Sequence, residues 1–469
     1  MPRPRDLWPA PMRRVAVVMP SSRERQVLVE VADAGSFEPD ASSQRSAGDT
    51  AARADRAITE RLGGADPPPP ELSSTPVDID ALAATGDLSL LLGEASLETA
   101  TAAAQRPGRC TVVPGWIRAE DHDALRDRVE PLGGTLADLP GRRGLVPPTA
   151  PGPSRTAASL RPLVSTYATV PYRDIDPTWF AAIVYMLMFG MMFGDVAHGL
   201  GIAALGLVAL RAGDGRFAGA HRLAPFLIGA GAAAVLFGFL YGDAFGPTGL
   251  VPTLWLRPLE DPDQLLVVGL AVGGVLLAFT FVLSIVNRWR EGGPALAIYD
   301  PSGVAGALLL TALGLIAIGL ATSVDWWWRI GAALGVLGAL LAFAGLLVRT
   351  GTRGAGIAEA IVELFDTLLR LGSNVVSFTR LAAFGLTHAV ITEVVWDGTV
   401  ALWATSAVAS AFAVVLFAGG NLAAFALGAL VAAIQALRLE YYELFSRLFS
   451  GSGHPFTPWH VPTHRSEAP

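Results

Sequence analysis

Two regimes of hydrophobic pattern meet near residue 178. Before it, apolar positions come in short runs broken by Arg, Asp, Pro and Ser. After it, almost everything reads as stretches of roughly 20 apolar residues joined by short polar loops, the length a bilayer-spanning helix requires. The pattern predicts an α+β cytoplasmic N-terminal domain over 1–178, followed over 179–469 by an all-α polytopic membrane domain with a short cytoplasmic C-terminal tail. Within the first domain, 13–19 (RRVAVVM) and 109–113 (RCTVV) read as strands. Residues 119–129 (AEDHDALRDRV), with acids in the first turn, read as a short helix. The Pro-, Ser- and Ala-rich stretches 35–76 and 134–178 read as loop or linker.

Clear spans fall at 225–244, 264–286, 304–321, 327–348, 361–396 and 401–445, and the last two are long enough that they must tilt or project beyond the bilayer. Ahead of them, 179–210 is either one long span or two short ones. Loop charge decides between these. Arg211, Arg216 and Arg222 mark one loop as cytoplasmic, as do Arg288 with Arg290 and Arg349 with Arg353, while the alternating loops carry acids and one arginine between them. With the N-terminal domain inside, 179–210 must cross an even number of times. The break belongs at 190–199 (GMMFGDVAHG), where glycines, Asp195 and His198 interrupt the apolar run. That gives eight spans, with both termini cytoplasmic in a plasma-membrane protein. No internal repeat of the inverted-transporter kind is visible.

Composition agrees with this division: 52% of the 469 residues are hydrophobic and only 16% charged, far from an ordinary soluble chain. The first 30 residues have basic flanks but no apolar core of signal-peptide length. A single cysteine, Cys110, excludes an internal disulfide and a cysteine metal cluster, and neither a metal nor another cofactor is expected. All 34 basic residues are arginine; without a lysine the chain lacks the phosphate loop that binds ATP. Nothing points to nucleic acid.

The candidate chemistry centres on Arg380, set in the apolar run 371–396 where the only other formal charge is Glu393. Mid-bilayer, an arginine costs roughly 2.5 to 3.5 kcal/mol and cannot escape by losing its proton. Placed on one helix at 100° per residue, Asp366, Arg370, Ser373, Ser377, Thr387 and His388 fall within about 100° of arc that includes Arg380, and Glu393 points away. Such a stripe needs water or another protein surface beside it, as an aqueous half-channel with a fixed positive centre would provide. Structural alternatives remain open: Arg380 bonded to backbone carbonyls or to Glu393, His388 as a packing histidine, and Asp195 with His198 as either a proton-handling or a buried structural pair. The next span brings Arg438, with Gln435 and Tyr442 within a turn. Glu443 and Arg447, four apart, read as an ordinary surface pair.

These motifs resemble subunit a, also called subunit I, of rotary V-type and A-type ATPases. Residues 172–200 (YRDIDPTWFAAIVYMLMFGMMFGDVAHGL) resemble that family's entry into the membrane, 373–388 (SNVVSFTRLAAFGLTH) its essential-arginine helix and 434–459 (IQALRLEYYELFSRLFSGSGHPFTPW) its C-terminal signature. Residues 113–118 (VPGWIR) resemble a motif of its cytoplasmic domain more weakly. The resemblance implies that Arg380 faces the carboxylates of a rotating membrane ring, that Arg438 supports it, that Asp366 lies by the cytoplasmic access path and that His388 matches a family histidine. A positive charge ~4 Å from a ring carboxylate, at an effective dielectric of ~20, is worth about 4 kcal/mol, or roughly three pKa units in favour of the ionised acid. Two departures stand out: Gly428 and Asn421 replace an acid and a histidine of the family pattern, and the N-terminal domain is short for the family's coiled-coil arm.

The resemblance thus implies a bacterial membrane stator that forms two ion half-channels and carries protons or sodium. ATP chemistry would sit on other subunits. Expected partners are the proteolipid ring, peripheral stalk subunits through the N-terminal domain, the central stalk and nucleotide-binding subunits indirectly, and membrane lipid. The rival reading is a secondary transporter in which Arg380 anchors an anionic substrate.

Overall fold

The computed structural model describes residues 8–40, 50, 52, 54, 67–85, 87–102, 104–141, 145–152, 155–211, 218–403, 405–449 and 453–463. The chain forms two compact units, one of Pro9–Pro153 with Gly453–Pro469 and one of Met1–Trp8 with Ser154–Ser452.

The smaller unit is built on an antiparallel sheet, four-stranded among the described residues, ordered β2-β3-β1-β4. The strands are β1 (Met12–Pro20), β2 (Phe37–Pro39), β3 (Cys110–Arg118) and β4 (Thr135–Asp138). Helix α1 (Glu24–Ala34) joins β1 to β2 and α3 (His122–Val129) joins β3 to β4, so two β-α-β halves interleave in one sheet. Alternation along β1 and β3 turns Val15, Val17, Val113 and Ile117 to the helices, where Val27, Val31, Leu125 and Val129 complete the core. Helix α2 (Leu88–Thr101) lies in the long connection between β2 and β3 and starts on Asp87, whose carboxylate accepts the Leu90 N–H.

Sequence reasoning placed β1 within a residue at either end but stopped β3 at 113. The strand runs on to Arg118 through Pro114 and Gly115, residues disfavoured in strands. Gly115 is required there because a Cβ would fall 2.3 Å from the Glu38 carbonyl oxygen of β2. Four-residue β4 lies inside the stretch read as linker; at that length it has no readable period.

The C-terminal segment completes this unit. Trp459 N–H donates to the Phe37 carbonyl at 2.8 Å, Val461 N–H to Ala32 at 3.1 Å, and Leu72 N–H to Pro462 at 3.0 Å. The Trp459 indole N–H bonds the Ser96 hydroxyl at 2.8 Å. Helix α1 ends on Gly35 in the left-handed region (φ 58°), and a side chain there would collide with His460 of the same segment.

The larger unit is helical. Among the described residues six helical stretches are long and apolar enough to cross a membrane: Gly219–Tyr241, Pro262–Tyr299, Val304–Thr322, Asp325–Thr350, Gly354–Trp403 and Ala407–Leu448. Before them, α4 (Thr178–Met192) and α5 (Val196–Arg211) are apolar but only 15 and 16 residues long. The chain breaks between them at 193–195, inside the glycine-rich segment. Helix α6 (Ala218–Tyr241) packs on both through small residues: a Cβ on Gly231 would lie 2.7 Å from the Gly199 carbonyl oxygen, and one on Gly190 2.6 Å from Ala233. Backbones this close gain dispersion contact where lipid offers no hydrophobic drive.

Helix α7 (Pro262–Tyr299) is kinked at Gly293, ahead of Pro294. Helices α8 (Val304–Thr322) and α9 (Asp325–Thr350) follow. The span predicted as one helix over 361–396 is two, α10 (Gly354–Ser377) and α11 (Thr379–Trp403), interrupted at Phe378. Helix α12 (Ala407–Leu439) passes into a π-helical turn at Glu440–Phe445.

Candidate functional site

Arg380 stands in the first turn of α11, two residues past the interruption. There the Phe378 N–H reaches Val375 and the Leu381 N–H reaches Phe378, so the turn tightens to i→i+3 bonding. The Phe378 ring is fully buried against Gly273 of α7, where a Cβ would fall 2.2 Å from its Cγ. Ring and glycine together form a wedge that fixes the origin of the Arg380 side chain.

Its guanidinium donates from Nη1 to Glu443 Oε1 at 3.3 Å. The side chain of Arg380 is 29% exposed and that of Glu443 7%. The predicted surface pair Glu443–Arg447 does not form: both residues are buried, and Glu443 is spent on Arg380. Glu443 lies within the π turn and reaches across to Arg380 of α11, while Arg447 is buried beyond the turn. Nor is Glu393 the partner of Arg380. Sequence reasoning missed Glu443 because π turns leave no periodic signal. The Ser377 hydroxyl and the Arg438 guanidinium act on the same carboxylate, and Arg438 is itself exposed. Gln435, one turn before it, is partly buried, and Tyr442 points outward.

On α10 and α11, Asp366, Arg370, Ser373 and Thr387 are exposed, while Ser377 and Arg380 are half-exposed. Asp366 and Arg370 pair at 2.7 Å. These polar groups therefore face out of the helical unit. His388, at the edge of the predicted arc, turns inward and is buried.

His388 lies with Asp195 and His198, and one ligand-type atom from each comes within 4.8 Å of the others. Asp195 is fully buried and accepts the His198 N–H at 2.9 Å, capping α5, and the Gly246 N–H at 3.0 Å. The two imidazoles sit 5.5 Å apart between centroids, and Phe193 packs 4.6 Å from that of His388. Two departures from the family pattern find a place here. A Cβ on Gly428 would lie 2.7 Å from His388 Nδ1 and 2.9 Å from Phe193, so those rings fill the space of the missing side chain. Buried Asn421 donates to the Phe417 carbonyl at 2.9 Å on the same helix.

One turn beyond His388, Glu393 lines a cavity of about 150 Å³ with Asp243, Arg257 and Glu260. The loop that carries Asp243 also supplies the Gly246 N–H to Asp195. Buried polar cluster and acid-lined cavity are thus joined through one loop.

Residues 102–256 match the V-type ATPase 116kDa subunit family. The chain is 31% identical to the A-type ATP synthase subunit I of Aeropyrum pernix over 75% of this chain and 58% of that protein. It is 25% identical to that of Archaeoglobus fulgidus, over 74% and 58%, and 23% identical to that of Pyrococcus horikoshii, over 75% and 54%. The chain spans a little over half the length of these curated relatives. Together with the apolar helices, the matches make it a multi-pass membrane protein. A membrane entry within the family match and a helical unit shared with these relatives lead to one conclusion: over these stretches the chain is similar to the subunit a/I proteins of V-type and A-type ATPases.

Proposed function

We propose that this chain is the membrane stator of a rotary ATPase and that Arg380 is the fixed charge past which the carboxylates of a rotor ring move. One observation carries the reading: Arg380 lies close to the middle of the 50-residue apolar stretch Gly354–Trp403, on an outward polar face, with Glu443 of the same chain as its ion-pair partner among the described residues. An outward polar face within an apolar span calls for a partner that brings complementary charge or water. A ring carboxylate fits, because it can replace Glu443 as counter-ion during its passage.

Ions would travel on either side of this charge. One half-channel runs from the cavity of Asp243 and Glu393 past Asp195, His198 and His388. The other follows Asp366, Arg370, Ser373 and Ser377 along α10. Beside an incoming ring acid the guanidinium favours the ionised form by about 4 kcal/mol at ~4 Å, which drives release of the proton or sodium ion. The same charge repels a cation that would leak from one path to the other.

The ring, peripheral stalks bound through the smaller unit, a central stalk and nucleotide-binding subunits are the proposed partners, with both termini cytoplasmic in the plasma membrane. Because 453–463 packs within the same unit as 9–153, the chain between must cross an even number of times, as eight spans with α4 and α5 as a short pair would do.

The test is ATP-driven ion pumping by the assembled complex in vesicles. Arg380→Ala abolishes pumping while the ring and nucleotide-binding subunits still copurify. Intact pumping by that variant, or a wild-type chain that purifies alone and transports a small anion, overturns the proposal.

A further inference from the structure

Buried imidazoles usually have a hydrogen-bond partner for at least one nitrogen. Here Nδ1 and Nε2 of His388 are buried with no hydrogen-bond partner, and those of His198 are buried without a well-formed hydrogen bond, with the Asn421 side chain the nearest polar group acting on that ring. The two residues are 3% and 6% exposed, so the cost of leaving these atoms unsatisfied is not relieved by bulk solvent. Asp195, 3.8 Å from His198 Nδ1, brings a carboxylate to the same point. We propose that Asp195, His198 and His388 form a binding site for a divalent transition-metal ion of the zinc type.

The donor set selects this class of ion. Two imidazoles and one carboxylate suit zinc and its neighbours, whereas calcium and magnesium prefer oxygen throughout. Zinc bonds of about 2.0–2.2 Å in a tetrahedron place ligand atoms about 3.3 Å apart. The observed limit of 4.8 Å needs only small rotations of the two rings, and Gly428 leaves no side chain in their way. A supporting shell is already present: the N–H groups of His198 and Gly246 hold the Asp195 carboxylate, while Phe193, Phe245 and Phe425 surround the imidazoles. The neighbouring cavity is lined by Asp243, Glu260 and Glu393 together with Arg257, and its loop also holds the Asp195 carboxylate through Gly246. Three protein ligands leave a fourth position for water. If the half-channel reading holds, on which this consequence alone rests, a bound zinc ion fixes a divalent charge in the path and stops translocation.

The experiment uses the full chain in its purified complex, with Co²⁺ as a spectroscopic probe and Zn²⁺ as competitor. One Co²⁺ per chain, with visible bands of a tetrahedral site displaced by Zn²⁺, is the expected result. His198→Gln and His388→Gln each weaken binding at least about tenfold. X-ray absorption at the zinc edge of the wild-type complex supplies a measurement that needs no variant, and it shows two imidazole nitrogens. Binding unchanged in both variants, or a zinc shell of oxygen alone, overturns the site. A second arm adds Zn²⁺ to pumping vesicles from the cavity side. Inhibition supports the site's place in the ion path, whereas zinc bound as described with pumping unimpaired upholds the site and overturns that placement.

Discussion

A guanidinium and a carboxylate 3.3 Å apart on two packed helices set the energetics of the centre of this protein. Removing either charge takes away the other's ion-pair partner, leaving Glu443 with Ser377 and Arg438 and Arg380 with its partial exposure. Breaking a fully buried pair costs about 3–5 kcal/mol, and because Arg380 keeps partial exposure, Glu443→Gln is expected to cost about 2 kcal/mol. Thermal unfolding of the purified complex reads this as a lowered midpoint; a midpoint equal to wild type would show that the pair adds nothing to stability. In pumping assays the same variant should slow turnover, since Arg380 then has one fewer anion to return to when a ring carboxylate departs. Arg380 itself was conspicuous in the sequence, as any charge in an apolar run is. Glu443 was hidden, because four-residue spacing to Arg447 suggested a commonplace surface pair and only the packing of the π turn against α11 brings it to Arg380.

At the scale of elements, the interruption at Phe378 matters most. A hydrophobicity profile merges α10 and α11, since Phe378 is itself apolar within an apolar stretch and the backbone there stays in the helical region. Contact with Gly273 shows why the break sits where it does. Gly273→Leu would force the Phe378 ring out of its seat; overpacking of this kind costs about 1–3 kcal/mol, and here the loss should fall at the upper end because the contact is 2.2 Å. Denaturant or thermal unfolding checks the stability change. Pumping should fall further than stability, since the arginine moves with the wedge. A fully active Gly273→Leu complex would mean that the break does not position Arg380. Helices α4 and α5 show the converse, a break that was legible because glycines, Asp195 and His198 interrupt the apolar run in the open.

Over the whole molecule, residues 9–153 share one compact unit with a segment, 453–463, that follows the helices. The segment 453–463 packs Val461 and Trp459 against α1 and α2, so these two residues are part of the core of the smaller unit. Trp459→Ala removes that packing and the Ser96 hydrogen bond. A fully buried Trp costs about 3–5 kcal/mol on truncation, and partial burial brings the expected loss here to about 2–3 kcal/mol. Limited proteolysis of the purified protein should then cut the smaller unit faster, while the helical unit keeps its resistance. Equal cleavage rates in variant and wild type would show that the segment is dispensable.

The hydrophobic pattern alone determined that a mixed N-terminal domain precedes a helical membrane portion, and it singled out Arg380, Arg438, His388, Asp195 and His198. Those conclusions follow from local physics, the length of an apolar run and the cost of placing a charge inside it. Tertiary structure alone decided which charges meet. The Arg380–Glu443 pair, the convergence of His388 on Asp195 and His198, and the return of Trp459 to the Phe37 strand join residues 63, 193 and 422 positions apart. No periodicity reaches across such separations; packing between helices, a π turn and a closing segment fix them.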